Sequence, residues 1–178
     1  AVYHVSEGNT KYGLLSDSNA FGTSSGYWNN TTPGTSTFTV GTDDSVNGNN
    51  APYVAYCWAG VDGYSKFGTY TGNGNADGPY IYFGFSPVFI MTKSTGSASW
   101  AIHTSNFPGQ YNPDYYELYA NTTDDQGSVG ARRDFLANGT KIRNGSSSAY
   151  NSGGQKYIYA AFAENPFGGS GVAQAKAR

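Results

Sequence analysis

Two stretches about a hundred residues apart carry a similar apolar and aromatic pattern, and this repeat constrains the fold more than any other feature of the chain. The segment Ala51 to Gly60, APYVAYCWAG, returns as Gln155 to Glu164, QKYIYAAFAE, with Tyr53 matching Tyr157, Val54 matching Ile158, Trp58 matching Phe162 and Ala59 matching Ala163. Further matches keep the same order. VYHVS at Val2 to Ser6 answers AIHTS at Ala101 to Ser105, KYGLL at Lys11 to Leu15 answers YYELY at Tyr115 to Tyr119, and FTVGT at Phe38 to Thr42 answers TKIRN at Thr140 to Asn144. Offsets run from 99 for His4/His103 to 104 for Tyr53/Tyr157, differences that turns absorb. Solenoid repeats are shorter, roughly 20–50 residues, so the pattern predicts a duplicated or pseudo-symmetric domain. The block Tyr64 to Ser99 precedes the second copy and has no counterpart before the first. The expectation is the C-terminal piece of a longer polypeptide. It would hold one domain over 1–167, built from a partial repeat (1–60) and a full one (61–167), with a loose tail over 168–178.

Composition narrows the fold class. Leu occurs four times, against 25 Gly, 16 Tyr and 10 Phe, and only 12% of residues are charged. Good helix formers are scarce, while aromatic, Thr, Gly and Asn residues favour short strands joined by tight turns. A net charge of −2 offers no footprint for nucleic acid, which needs clustered Lys and Arg. Arg132, Arg133, Lys141 and Arg143 form the main basic cluster, and with Asp124, Asp125 and Asp134 nearby they read as a solvated mixed-charge surface. No apolar run approaches the ~20 residues of a membrane-spanning helix, so no membrane insertion is expected. Cys57 is the lone cysteine, and its match to Ala161 reads as a buried structural thiol.

Aromatic and β-branched runs bounded by turn residues predict strands at 2–6, 11–15, 38–40, 53–59, 65–70, 80–83, 88–93, 100–104, 115–120, 133–136, 141–143 and 157–163. This density of short strands is that of an antiparallel sandwich or jelly roll. Tyr53–Ala59 and Tyr157–Ala163 are apolar on nearly every position, the pattern of central strands covered on both faces. They predict a core containing Cys57, Trp58, Ile158 and Phe162. NPDYYELYAN invites a helix at Pro113, but its counterpart NTKYGLLSDS carries Gly13 mid-segment, so a strand is the reading both copies tolerate.

The chain carries little that could do chemistry. His4 and His103 hold matching positions and read as hydrogen-bonded strand residues. No GxSxG elbow is present, and three Glu residues at 7, 117 and 164 form no paired pattern for glycoside hydrolysis. GTDDSVNGNN opens like a calcium loop, yet its twelfth position is Val54 where a bidentate Glu is needed. A looser site on Asp43 and Asp44, or a simple Asp/Asn turn, both remain open. GNGNADG at Gly72 to Gly78 lacks the Lys of a phosphate loop and reads as a hairpin loop. No catalytic residue, metal site or cofactor is expected, and the chain does not read as an enzyme. Exposed aromatics are the more credible contact groups, because rings with polar tips suit sugar faces and protein interfaces. Trp28 in SSGYWNNTT and Tyr111 in FPGQYNPDYY lie in loop-like contexts and are the candidate ligand-binding residues.

The run YVAYCWAGVDGYSKFGTYTGNGNADGPYIYFGFSPVFIMTKS, followed by IYAAFAENPFG and a terminal AKAR, resembles C-terminal domains of virion proteins from tailed phages of aquatic bacteria. The resemblance implies a concanavalin A-like jelly-roll sandwich on the extracellular virion surface, in a tail fibre or spike. It implies host-surface glycan or receptor, and other virion chains, as partners, in a homo-oligomer that the fibre analogy makes a trimer. Its alternative is a purely structural virion module, for capsid decoration or fibre assembly.

Overall fold

A computed structural model describes residues 1–107 and 112–165, with the backbone alone at 128 and 129. The described chain is almost entirely antiparallel β. Two short strands, β1 (Lys11–Tyr12) and β2 (Gly22–Thr23), pair in a small ribbon. Two single-turn helices follow, α1 (Ser25–Trp28) and α2 (Asp44–Asn47), each N-capped by the side chain before it, Ser24 and Asp43. Eight strands then build one sheet: β3 (Ser65–Thr71), β4 (Tyr80–Tyr82), β5 (Pro87–Ser94), β6 (Ala101–Thr104), β7 (Asp114–Tyr119), β8 (Gly127–Leu136), β9 (Gly139–Ile142) and β10 (Lys156–Ala163).

The spatial order is β3-β10-β5-β6-β7-β8-β9-β4. Hence the last strand lies between two early ones, with Tyr157 opposite Tyr70 on one side and Ser94 on the other. The sheet curls until its edges approach: Lys66 of β3 donates to the Tyr82 carbonyl of β4 at 3.1 Å and sits 4.9 Å from that ring. The result is a nearly closed barrel. Strand alternation sends Tyr157, Tyr159, Ala161 and Ala163 inward, where they join Ile81, Phe83, Phe85, Ile90, Ala101 and Ile142. Tyr159 lies across Gly68 on the neighbouring strand, where a Cβ would stand 2.6 Å from its hydroxyl, so the glycine makes room for the ring.

The N-terminal segment covers the outer face. Phe21 packs with Trp100 and Ile158, supported by Val2 and Met91. Trp100 Nε1 donates to Leu14 O at 2.8 Å, and Lys156 pairs with Glu7 at 2.6 Å. Lys93 lies buried there, its ammonium donating to Ser94 O and Gly96 O, and desolvation lowers its pKa to about 8.

Several expectations are corrected. Residues 2–6 contribute one isolated bridge, Val2 to Gly13, and residues 38–40 form no strand. Tyr53–Ala59 is no strand either, and every residue from 51 to 62 is exposed. Its place beside β3 and β5 is occupied by Tyr157–Ala163, and without neighbours its β-propensity has nothing to act on. Cys57 and Trp58 are therefore exposed, not core. The basic cluster is also not a uniformly solvated surface, because Arg132 and Arg133 are buried. The tail expected over 168–178 lies outside the described residues.

Candidate functional site: an exposed aromatic arm

Residues 51–62 form an extended arm between α2 and β3. The arm is fixed at both ends. Tyr53 hydroxyl donates to Asp44 O at 2.5 Å and accepts the Gly48 N–H at 2.7 Å. At the other end Val61 N–H donates to Ser65 O at 3.1 Å, and Ser65 Oγ donates to Ala59 O at 2.8 Å. Between these anchors the backbone of 52–58 makes no hydrogen bond to another described residue. Extended backbone with unpaired N–H and C=O groups is a template for strand addition.

Its side chains are as open as its backbone. Val54 is 78% exposed, Tyr56 76% and Trp58 63%. The Tyr56 and Trp58 rings lie nearly parallel, with centroids 6.1 Å apart and planes at 16°, as expected for residues two apart on one side of an extended chain. Trp58 also meets Phe162 edge-on at 6.4 Å, which rests the arm on an outer aromatic cluster of Tyr64, Phe67, Phe89 and Phe162. No charged residue lies between Ala51 and Val61. Large exposed apolar patches are features that interaction surfaces share.

The residues chosen from sequence lie elsewhere. Trp28 is buried at 8% exposure, its Nε1 donating to Lys11 O at 2.9 Å, so its ring lies inside the N-terminal layer. Tyr111 falls outside the described residues. Asp43 caps α2 through Ser45 N–H, which holds its carboxyl below the usual range. Among the described residues no group of three or more His, Cys, Asp and Glu could hold a metal ion. A shallow surface depression lined by Ser16, Asn121, Thr122, Thr123 and Asp124 carries no convergent polar machinery.

The barrel interior holds a polar group that includes Arg132 and Arg133, which read from sequence as surface charges. Arg132 pairs with Glu117 at 2.9 Å and donates to Tyr150 OH at 3.1 Å, while Tyr119 OH donates to the same carboxylate oxygen at 2.6 Å. His103 Nδ1 lies 3.2 Å from Asp114 Oδ2. Burial, reinforced by Arg133, lowers the His103 pKa to about 3, so the ring is neutral and donates from Nδ1. Desolvation likewise raises the Tyr70, Tyr119 and Tyr150 hydroxyls. The arm's exposure had no signal in local pattern, since its apolar run reads as a buried strand. The one available cue is competition, because two runs of similar apolar pattern seek one kind of slot.

A family model for a domain of unknown function, DUF7483, matches residues 1–166. The chain belongs to the DUF7483 family. The match spans the N-terminal layer, the arm and the barrel together. No curated protein and no solved structure matches the chain.

Proposed function

We propose that this DUF7483 domain is a non-catalytic surface module of a virion protein, of the tail-fibre or spike type, that contacts another protein chain through the arm. The observation that carries this reading is the uncovered arm at 52–58, with unpaired backbone and apolar rings exposed together. A protein partner can satisfy both, adding main-chain hydrogen bonds while it buries Val54, Tyr56 and Trp58. The sequence match of the arm to β10 supports a strand-type contact, since β10 is held on both sides by strands. A jelly-roll relationship and an internal duplication belong to the same reading. The non-sequential antiparallel order supports the first and the ordered sequence matches support the second.

A second reading is recognition of a host-surface glycan, favoured by the near-parallel Tyr56 and Trp58 rings, which offer a flat platform to a sugar face. The test compares the wild-type chain with Val54→Lys, by sedimentation over a concentration series and on a printed glycan array. The assembly reading expects concentration-dependent association that Val54→Lys abolishes at unchanged Tm, with no array signal. Glycan binding lost in Trp58→Ala, by a chain monomeric throughout, overturns assembly in favour of the second reading.

A further inference from the structure

The barrel encloses a guanidinium that makes no hydrogen bond to any described residue. Arg133 is fully buried, and its Nε, Nη1 and Nη2 all lack a hydrogen-bond partner among the described residues. It opposes Asp114 on one side and Ile142 on the other, both buried, which places it on the inner face of β8. Its Cζ lies 5.5 Å from the Tyr150 ring centroid, and His103 meets the same ring edge-on at 5.1 Å. The aromatic face offsets part of the charge. It does nothing for the five N–H groups a guanidinium carries in its plane.

The neighbouring carboxylates are partly engaged. Asp114 Oδ2 meets His103 Nδ1 at 3.2 Å, and its Oδ1 takes the Tyr116 N–H at 2.9 Å. Glu117 Oε1 holds both Arg132 and Tyr119. Open acceptors in this interior are His103 Nε2, Glu117 Oε2 and the Thr92 hydroxyl, fewer than the unmet N–H groups of Arg132 and Arg133. A buried charged donor without a partner costs more than a lost neutral bond, and native interiors answer such groups with a partner. Water accepts, but each molecule brings two further donors into a region short of acceptors. A halide accepts several N–H groups and donates none. The full burial of Arg133, His103 and Tyr150 leaves no route for an extended ligand.

We infer that the barrel interior is a binding site for one small inorganic anion of halide size, held by the Arg133 guanidinium beside Tyr150. The site is independent of the arm and requires no partner. The experiment uses the full chain crystallised in sodium bromide, with anomalous difference density as readout. Thermal unfolding is measured in parallel in sodium bromide against sodium gluconate at equal ionic strength, for wild type and Arg133→Met. The expected result is a bromide peak at hydrogen-bonding distance from the Arg133 guanidinium. Wild-type Tm should rise by about 5 °C between low and saturating bromide, and stay flat in Arg133→Met. Ordered water alone at the guanidinium, with bromide only elsewhere, overturns the proposal. So does a bromide-dependent Tm that persists in Arg133→Met. The density in the wild-type crystal decides the matter even if the variant does not fold.

Discussion

His4 Nε2 lies 3.3 Å from the main-chain oxygen of Tyr159, across 155 residues of sequence, and its Nδ1 accepts the Ser6 N–H at 3.2 Å. Both contacts are met by a neutral ring with its proton on Nε2, which donates to the carbonyl. A second proton on Nδ1 would oppose the Ser6 N–H. Burial lowers the His4 pKa, as it does for His103.

A pH dependence follows from these two histidines. In the folded chain both titrate below the ordinary value of 6.5, so below that pH the unfolded chain binds more protons. Their contribution is fully present above 6.5 and is lost as pH falls toward the folded values, at up to about 1.4 kcal/mol per pH unit for each group. Urea unfolding at pH 7.5, 6 and 5 checks this, and His4→Gln should flatten part of the slope. Equal stability at the three values would contradict the assignment of neutral rings.

The Arg132–Glu117 pair gives a second prediction, because both side chains are almost wholly buried. Removing one partner leaves an uncompensated charge in the barrel. Glu117→Ala should cost about 3–5 kcal/mol, whereas replacing both by Leu and Met should recover most of that loss. A double-mutant cycle by chemical denaturation measures it, and purely additive losses would rule the pair out as a coupled unit.

A third prediction separates the arm from the strand it resembles. Trp58→Ala should change stability by less than about 1 kcal/mol, since the ring is largely in water. Phe162→Ala should cost about 2 kcal/mol, because that ring is only partly buried but meets Trp58, Tyr64, Phe67 and Phe89. Denaturant midpoints for the two variants are the readout, and equal losses would place both rings in one core.

Most of the sheet was legible because short strands announce themselves by composition and turn residues. The predicted strands at 65–70, 88–93, 115–120 and 157–163 fall on β3, β5, β7 and β10, and the Gly13 comparison correctly turned NPDYYELYAN into a strand. Tyr53–Ala59 was misread because local pattern cannot say which of two similar runs obtains the neighbours. The burial of Trp28 was illegible for a related reason. Its polar flanks look like a loop, while the indole is held inside by Lys11 O, a partner 17 residues away. Arg132 and Arg133 looked like surface charges, since their burial depends on Glu117 and Asp114 of β7 and on Tyr150 in the turn before β10. Long-range pairing of this kind leaves no mark on local composition.

The proposed contact depends on residues 52–58 being an uncovered strand. Amide hydrogen exchange on the chain, dilute enough to sediment as a monomer and again within the assembled particle, measures this most directly. The arm amides should exchange at nearly unprotected rates in the monomer while β10 amides stay protected, and should slow by about a hundredfold or more on assembly. Arm amides already protected in the monomer, or still unprotected in the particle, would contradict the account.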